Sequence, residues 1–329
     1  MKTNLPADRL DGALLGCALG DALGLPAEGQ KPARVARLEP LVRYRLFGRT
    51  GFVSDDTEQT ALLAQALLEG QSVTEVVARF RRHLRWWFAR LPFGIGLATL
   101  RSCLKLWLGF ARSGVASAGN GAVMRAPIIG VAVEDARLRA ELVDAVSRVT
   151  HTHPLALAGA RYVAEVAATL AREEGSFELA ARQALAGVTE PTLAAAIARA
   201  LETPDSVEAA QALGTTGFTL HTVALCTWAA RHATEPLDGI QRAIRAGGDT
   251  DTHAAIVGAW LGARFGAAAL PDELVRRLHD GPFGPSHLRA LGLALRNGDA
   301  APAWSALGAL ARNLALYPVV LAHGLRHLA

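Results

Sequence analysis

Cysteine, lysine and aromatic residues are all scarce in this chain. Three cysteines, Cys17, Cys103 and Cys226, stand among 329 residues. Being odd in number and far apart, they exclude a disulfide framework and a cysteine-based zinc site, and they fit a reducing cytosol. Charged residues make up 19% and aromatics 6%, too little charge for a disordered chain or a coiled coil. Lysine occurs only at Lys2, Lys31 and Lys105, so the basic residues are nearly all arginine, a trait we read as bacterial genome composition rather than mechanism. The formal net charge is +4, with Arg and Asp/Glu interspersed and without the basic run that marks nucleic-acid or membrane binding. Residues 1–10 lack an apolar signal core, and the apolar stretch 304–325 is interrupted by Arg312 and Pro318. Neither secretion nor membrane insertion is expected, and the expected location is cytoplasmic.

What is abundant is alanine, roughly a fifth of the residues, with leucine beside it and little isoleucine, tyrosine or phenylalanine. That mixture favours helices over strands, and an all-α fold is expected. Apolar residues recur at helical spacing over residues 9–24, from about 54 to 68, over 72–90, 97–110, 135–149, 155–173, 177–186, 193–201, 207–213, 220–231, 236–246, 252–265, 271–279, 285–295 and 302–325. Ser72 to Glu75 has the form of a capping box. Segments 30–53 and 113–120 read as loop. No repeat period and no long polar linker interrupts the pattern, so residues 1–329 are expected to form one compact domain. In the first helix Gly12, Gly16, Gly20 and Gly24 recur every fourth position. Asp11 and Asp21 exclude a membrane span, so this thin face predicts close approach of another helix in a soluble core.

Two acidic clusters stand at predicted helix starts. Ser54-Asp55-Asp56-Thr57-Glu58 precedes one apolar run, and Gly248-Asp249-Thr250-Asp251-Thr252 opens another. Helix capping and the macrodipole account for some of these acids. They do not readily account for two clusters of Asp with hydroxyls. Carboxylates and neutral oxygens without sulfur or imidazole are the donor set of hard cations such as Mg²⁺. Asp21 and Glu28, where the first helix ends, add two more acids. Gly119-Asn120-Gly121 can bring backbone N–H groups close to a phosphate, or form an ordinary turn. His151 and His153 precede Pro154 without further ligands to suggest zinc.

Gly16-Cys17-Ala18-Leu19-Gly20-Asp21-Ala22-Leu23-Gly24 with Glu28, Ser54-Asp55-Asp56-Thr57, Gly119-Asn120-Gly121-Ala122 with Met124-Arg125, Thr150-His151 and Gly248-Asp249-Thr250-Asp251-Thr252 occur in this order. Together they closely resemble the ADP-ribosylglycohydrolase family over residues 10–295. The resemblance implies a single compact orthogonal helical bundle with a central dimetal cleft, holding two Mg²⁺ (or Mn²⁺) ions. Its implied activity is hydrolysis of the glycosidic bond between ADP-ribose and an acceptor. The implied metal ligands are Ser54, Asp55 and Asp56 in one set and Asp249, Asp251 and Thr252 in the other. Gly119, Asn120, Gly121 and Ala122 match a loop whose backbone approaches the diphosphate, and Met124 and His151 complete the substrate-binding set.

Cleavage at the ribose anomeric carbon develops oxocarbenium character that carboxylates stabilise. Glu28, Asp56 and Asp251 are the candidate catalytic carboxylates, with the proton carrier open among them. The expected partner is an ADP-ribosylated protein or small ADP-ribose conjugate, with arginine the favoured acceptor and nucleic acid entering only as a modified substrate. A monomer is expected. Two other readings remain, a non-catalytic ADP-ribose-binding relative and a metallohydrolase acting on a nucleotide or phosphoester.

Overall fold

A computed structural model describes residues 5–46, 48–173 and 175–328. Its regular elements are helices: α1 (Ala7–Gly24), α2 (Pro32–Val35), α3 (Asp55–Glu69), α4 (Val73–Phe88), α5 (Leu97–Trp107), α6 (Ala126–Ala132), α7 (Ala136–Ser147), α8 (Pro154–Arg172) and α9 (Phe177–Ala186). There follow α10 (Pro191–Glu202), α11 (Val207–Gln211), α12 (Thr219–Arg231), α13 (Pro236–Arg245), α14 (Thr250–Phe265), α15 (Asp272–Arg276), α16 (Pro285–Asn297) and α17 (Ala306–Leu328). The fold is all-helical, as composition predicts.

Helix α4 shows how local sequence sets these elements. Ser72 accepts the Glu75 N–H at 3.3 Å, and Glu75 reaches back to the Gln71 N–H at 2.8 Å, one residue earlier than the capping box predicts. Val76, Phe80, Leu84 and Trp87 then form its buried face. Two helices depart from expectation. Helix α6 falls where no helical pattern is visible, because its seven residues are all buried and the apolar run therefore carries no periodicity. Segment 30–53, expected as loop, contains the one-turn α2.

The glycine face of α1 meets α14. A Cβ placed on Gly12, Gly16 or Gly20 would lie 2.1, 2.1 or 2.0 Å from the carbonyl oxygen of Gly262, Gly258 or Ala254. Gly258 and Gly262 of α14 return the same contact to Gly16 and Gly12. The two backbones therefore touch, which only glycine permits. Although α1 is long and apolar enough to cross a membrane, it is a core helix here, with 94% of its most apolar window buried. Helices α3 and α16 pack on α1, and α8, α12 and α13 pack on α14. At the end of the pair, Gly24 lies against the backbone of Thr250 and Asp251. This contact brings the C-terminal end of α1, with Asp21, to the N-terminus of α14.

Candidate active site

Three helix ends meet at this point. Asp21 is fully buried and gathers four donors. Its carboxylate accepts the Ser54 N–H (2.9 Å) and hydroxyl (2.8 Å) and the Thr57 N–H (3.1 Å) and hydroxyl (2.6 Å). Asp21 thus caps α3 from another helix, while Ser54, the N-cap by position, accepts no bond of its own. Burial pushes the Asp21 pKa up, and these hydrogen bonds oppose the shift.

At the start of α14, Asp249 likewise makes no capping bond. Its Oδ2 accepts from Asn120 Nδ2 at 2.5 Å. The Thr252 hydroxyl donates to Asp56 Oδ2 at 3.2 Å, which joins the two acidic clusters directly. Glu28 is brought alongside by a two-bond bridge, Gly29 N–H to Gly248 O (2.7 Å) and Gly248 N–H to Gln30 O (2.9 Å). Gly248 adopts φ +79°, and a Cβ there would meet the Thr215 carbonyl at 1.9 Å, so no other residue fits.

Packing these acids together raises their pKa values. Asp55, Asp56 and Asp251 are driven well above the usual carboxylate range, by burial first and then by the charge of their neighbours. Glu28 is pushed up to about 7 by burial, with Asp249 and Asp21 adding to it. Asp56 Oδ1 and Asp251 Oδ1 are buried without a hydrogen-bond partner. Unpaired buried carboxylate oxygens are costly, and an all-oxygen donor set with two such orphans suits a hard cation. Among the described residues, no three His, Cys, Asp or Glu side chains stand close enough to hold an ion as they are.

Above the acids lies a cleft of about 620 Å³, within the range of small-ligand sites. Glu28, Asp55, Asp249 and Thr252 line it together with Gly119, Asn120, Gly121, Met124 and His151. Ser54, Asp56 and Asp251 are buried and do not reach its wall, and neither does Ala122. The expectation that this loop offers its backbone to a phosphate meets a local obstacle. The Gly119 and Asn120 N–H groups already donate to Ser117 Oγ (3.2 Å) and Gly217 O (2.9 Å).

The residue that sequence reasoning passed over is Arg125. Fully buried, it donates to Gln59 Oε1 (2.9 Å), to the Gly121 carbonyl and to Thr150 Oγ1. Gln59 in turn donates to Asp55 Oδ2 at 2.9 Å. One guanidinium therefore ties the acidic floor, the 119–122 turn and His151. The Thr150 hydroxyl, which accepts from Arg125, also lies within hydrogen-bond distance, 2.8 Å, of His151 Nδ1. Burial, aided by Arg125, lowers the His151 pKa to about 3 and keeps the ring neutral. His153 has a different task, accepting the Leu155 N–H at the start of α8.

Fold and cleft together define an all-helical protein with an acid-floored pocket of nucleotide size. The sequence profile described as ADP-ribosylglycohydrolase matches residues 2–305. A protein of Archaeoglobus fulgidus described only as uncharacterized is 32% identical over 289 residues, 84% of this chain and 93% of that one. The ADP-ribosyl-[dinitrogen reductase] glycohydrolase of Rhodospirillum rubrum is 31% identical over 160 residues, 45% of this chain and 53% of its own. ADP-ribosylarginine hydrolase Tri1 of Pseudomonas putida is 27% identical, over 82% of this chain and 74% of its own. A solved structure titled ADP-ribosylglycohydrolase-related protein complex superposes with a TM-score of 0.68 at 27% identity, covering 89% of this chain and 98% of that one. The chain belongs to the ADP-ribosylglycohydrolase family, and it is a hydrolase that removes ADP-ribose.

Proposed function

We propose that this enzyme releases ADP-ribose from modified arginine on proteins, with Mg²⁺ or Mn²⁺ held by the acids below the cleft. The observation that carries the metal reading is the pair of buried, unpartnered oxygens, Asp56 Oδ1 and Asp251 Oδ1, set among mutually destabilising carboxylates. Asp55, Asp56, Asp249 and Asp251 would hold two ions, with Ser54 and Thr252 adding neutral oxygens, and the acids would draw inward to do so. When bound, such ions supply positive charge that offsets the carboxylates, orients ribose hydroxyls and makes water more acidic. The arginine reading is supported by the name of the Pseudomonas putida relative.

The residues of this chain then divide the remaining work. The Asn120 and Gly121 turn, Met124 and His151 also line the cleft and would seat the nucleotide. His151, kept neutral, would offer a hydrogen-bonding ring without adding charge. Glu28 lines the cleft, whereas Asp56 and Asp251 do not, so of these three candidate catalytic carboxylates Glu28 is the one with access to solvent and substrate. From there it would take a proton from the attacking water as the anomeric C–N bond breaks.

The test is a release assay on arginine-linked, serine-linked and nucleic-acid-linked ADP-ribose, each with EDTA and with added Mg²⁺. Mg²⁺-dependent release from arginine ahead of the other two is expected. Full turnover in EDTA would overturn the metal reading, and preferential release from serine or nucleic acid the acceptor reading.

A further inference from the structure

Averaged over the chain the charges alternate, but one folded surface does not share that balance. No Asp or Glu occurs between Glu75 and Glu134, 58 residues that carry nine Arg and Lys. Helices α4 and α5 lie side by side within this stretch. Between them runs a groove of about 430 Å³ lined by Arg81, Arg82, Arg85, Trp86 and Phe110, among others. Arg82, Arg101 and Arg112 are exposed and, among the described residues, face no carboxylate within ion-pair distance.

The same stretch of chain exposes apolar side chains as well as cationic ones. Trp86 is 54% exposed, Leu108 75% and Leu97 70%, and Leu104, Trp107 and Phe110 are also exposed. Single exposed apolar side chains are ordinary, whereas a cluster marks an interaction surface. Trp86 and Trp107 meet edge to face at 5.7 Å, Arg85 lies 4.8 Å over the Trp107 ring, and the Trp107 N–H donates to the Arg85 carbonyl at 2.8 Å. The anchors are therefore preorganised, and Trp and Arg are the residues that dominate protein interfaces. Their mutual contacts, together with aliphatic leucines that stack poorly with bases, favour a protein partner over single-stranded nucleic acid.

Helix α5 contributes to both the groove and the cleft. Leu97, at the start of α5, lines the cleft, and Trp107 ends the same helix beside the groove. Eleven helical residues span about 15 Å, which an extended peptide covers in about four or five residues.

We propose that the α4–α5 groove docks the ADP-ribosylated protein itself, through a segment with Asp and Glu around an apolar anchor, about four or five residues from the modified side chain. This rests on the reading of the cleft as acting on protein-linked ADP-ribose. Its test uses free ADP-ribosyl-arginine and two ADP-ribosyl-arginine peptides, one carrying Glu-Leu-Glu five residues away and one with Gln in place of Glu. At low salt, kcat/KM for the acidic peptide is expected to exceed that for the Gln peptide by about tenfold, as one good interface anchor supplies. The advantage should vanish in an R82E/W86A variant, whose two positions are exposed and outside the cleft, while turnover of the free conjugate stays unchanged. Fluorescence anisotropy of the unmodified acidic peptide should show the same loss of binding. Equal kcat/KM for the two peptides, or an advantage that survives in the variant, overturns the proposal. Tighter binding of a single-stranded oligonucleotide than of the acidic peptide overturns the choice of a protein. Failure of the wild type to hydrolyse any of the three conjugates counts against the function of the cleft, and anisotropy still decides the docking.

Discussion

The helices of this protein that start at Ser or Asp fall into two groups that look alike in sequence. Helices α4, α7, α9 and α11 begin at Ser72, Asp135, Ser176 and Ser206, and each of these side chains accepts a backbone N–H three residues on. Helices α3 and α14 begin at Ser54 and Asp249, equally suitable residues, and neither caps its own helix. The capping bond of α3 comes instead from Asp21 on α1. Even within one turn the acids diverge. Glu58 is satisfied by the Trp87 indole N–H at 2.5 Å and by Arg312, whereas Asp56 two residues back keeps a buried oxygen without a partner. Leaving a buried carboxylate oxygen without a partner, as at Asp56 and Asp251, costs stability rather than adding to it.

The sharpest way to break that contrast is Asp251→Asn. It should lower Mg²⁺-dependent release of ADP-ribose by at least about a hundredfold, while the melting temperature in EDTA stays the same or rises because one like charge has left a crowded site. Unchanged turnover would remove Asp251 from the site, and a collapse of the fold would make it a structural acid.

The neighbours His151 and His153 repeat the contrast at smaller scale, one buried and neutral, the other capping α8. The folded pKa of His151, about 3, lies below its unfolded value of roughly 6.5. Between these values only the unfolded chain takes the proton. This contribution to stability is therefore complete above about pH 6.5 and is lost as the pH falls toward 3, with a slope of at most about 1.4 kcal/mol per pH unit. Urea unfolding of wild type and His151→Gln between about pH 4 and 7 should show a shallower acid-side loss in the variant. Parallel profiles would place a charged or exposed imidazole at 151.

The smallest effect compares two serines. Ser72→Ala should cost about 1 kcal/mol and leave kcat/KM untouched. Ser54→Ala removes one of the hydrogen bonds to Asp21 and should lower kcat/KM at a similar cost in stability. Identical behaviour of the two variants would erase the distinction between ordinary and site helix starts.

Much of this organisation is legible in the sequence because it is written in local spacing. Amphipathic helices such as α4 announce themselves every three or four residues, and the four-residue glycine period correctly foretells a close helix contact. That period does not name the partner, since Gly258 and Gly262 lie more than 230 positions away. Helix α6 is hidden because burial on every side erases the period. The roles of Asp21 and Arg125 are hidden for a different reason. Their partners, Ser54, Thr57, Gln59 and Thr150, are between 25 and 66 residues distant, and no local pattern records a hydrogen bond across such a gap. Acid clusters at helix starts were visible as clusters, while which acids reach the cleft and which lie below it depends on the tilt of three helices against one another.

The backbone contact between α1 and α14 also sets a timetable for synthesis. Asp21 leaves the ribosome 229 residues before Thr250, an interval of roughly 10–50 s at ordinary elongation rates. Until α14 emerges, the glycine face of α1 has nothing to lie against and the acids of residues 21–56 have no counterpart. The nascent chain therefore carries no working cleft for most of its translation, and ribosome-bound chains stalled before residue 249 should be unable to release ADP-ribose.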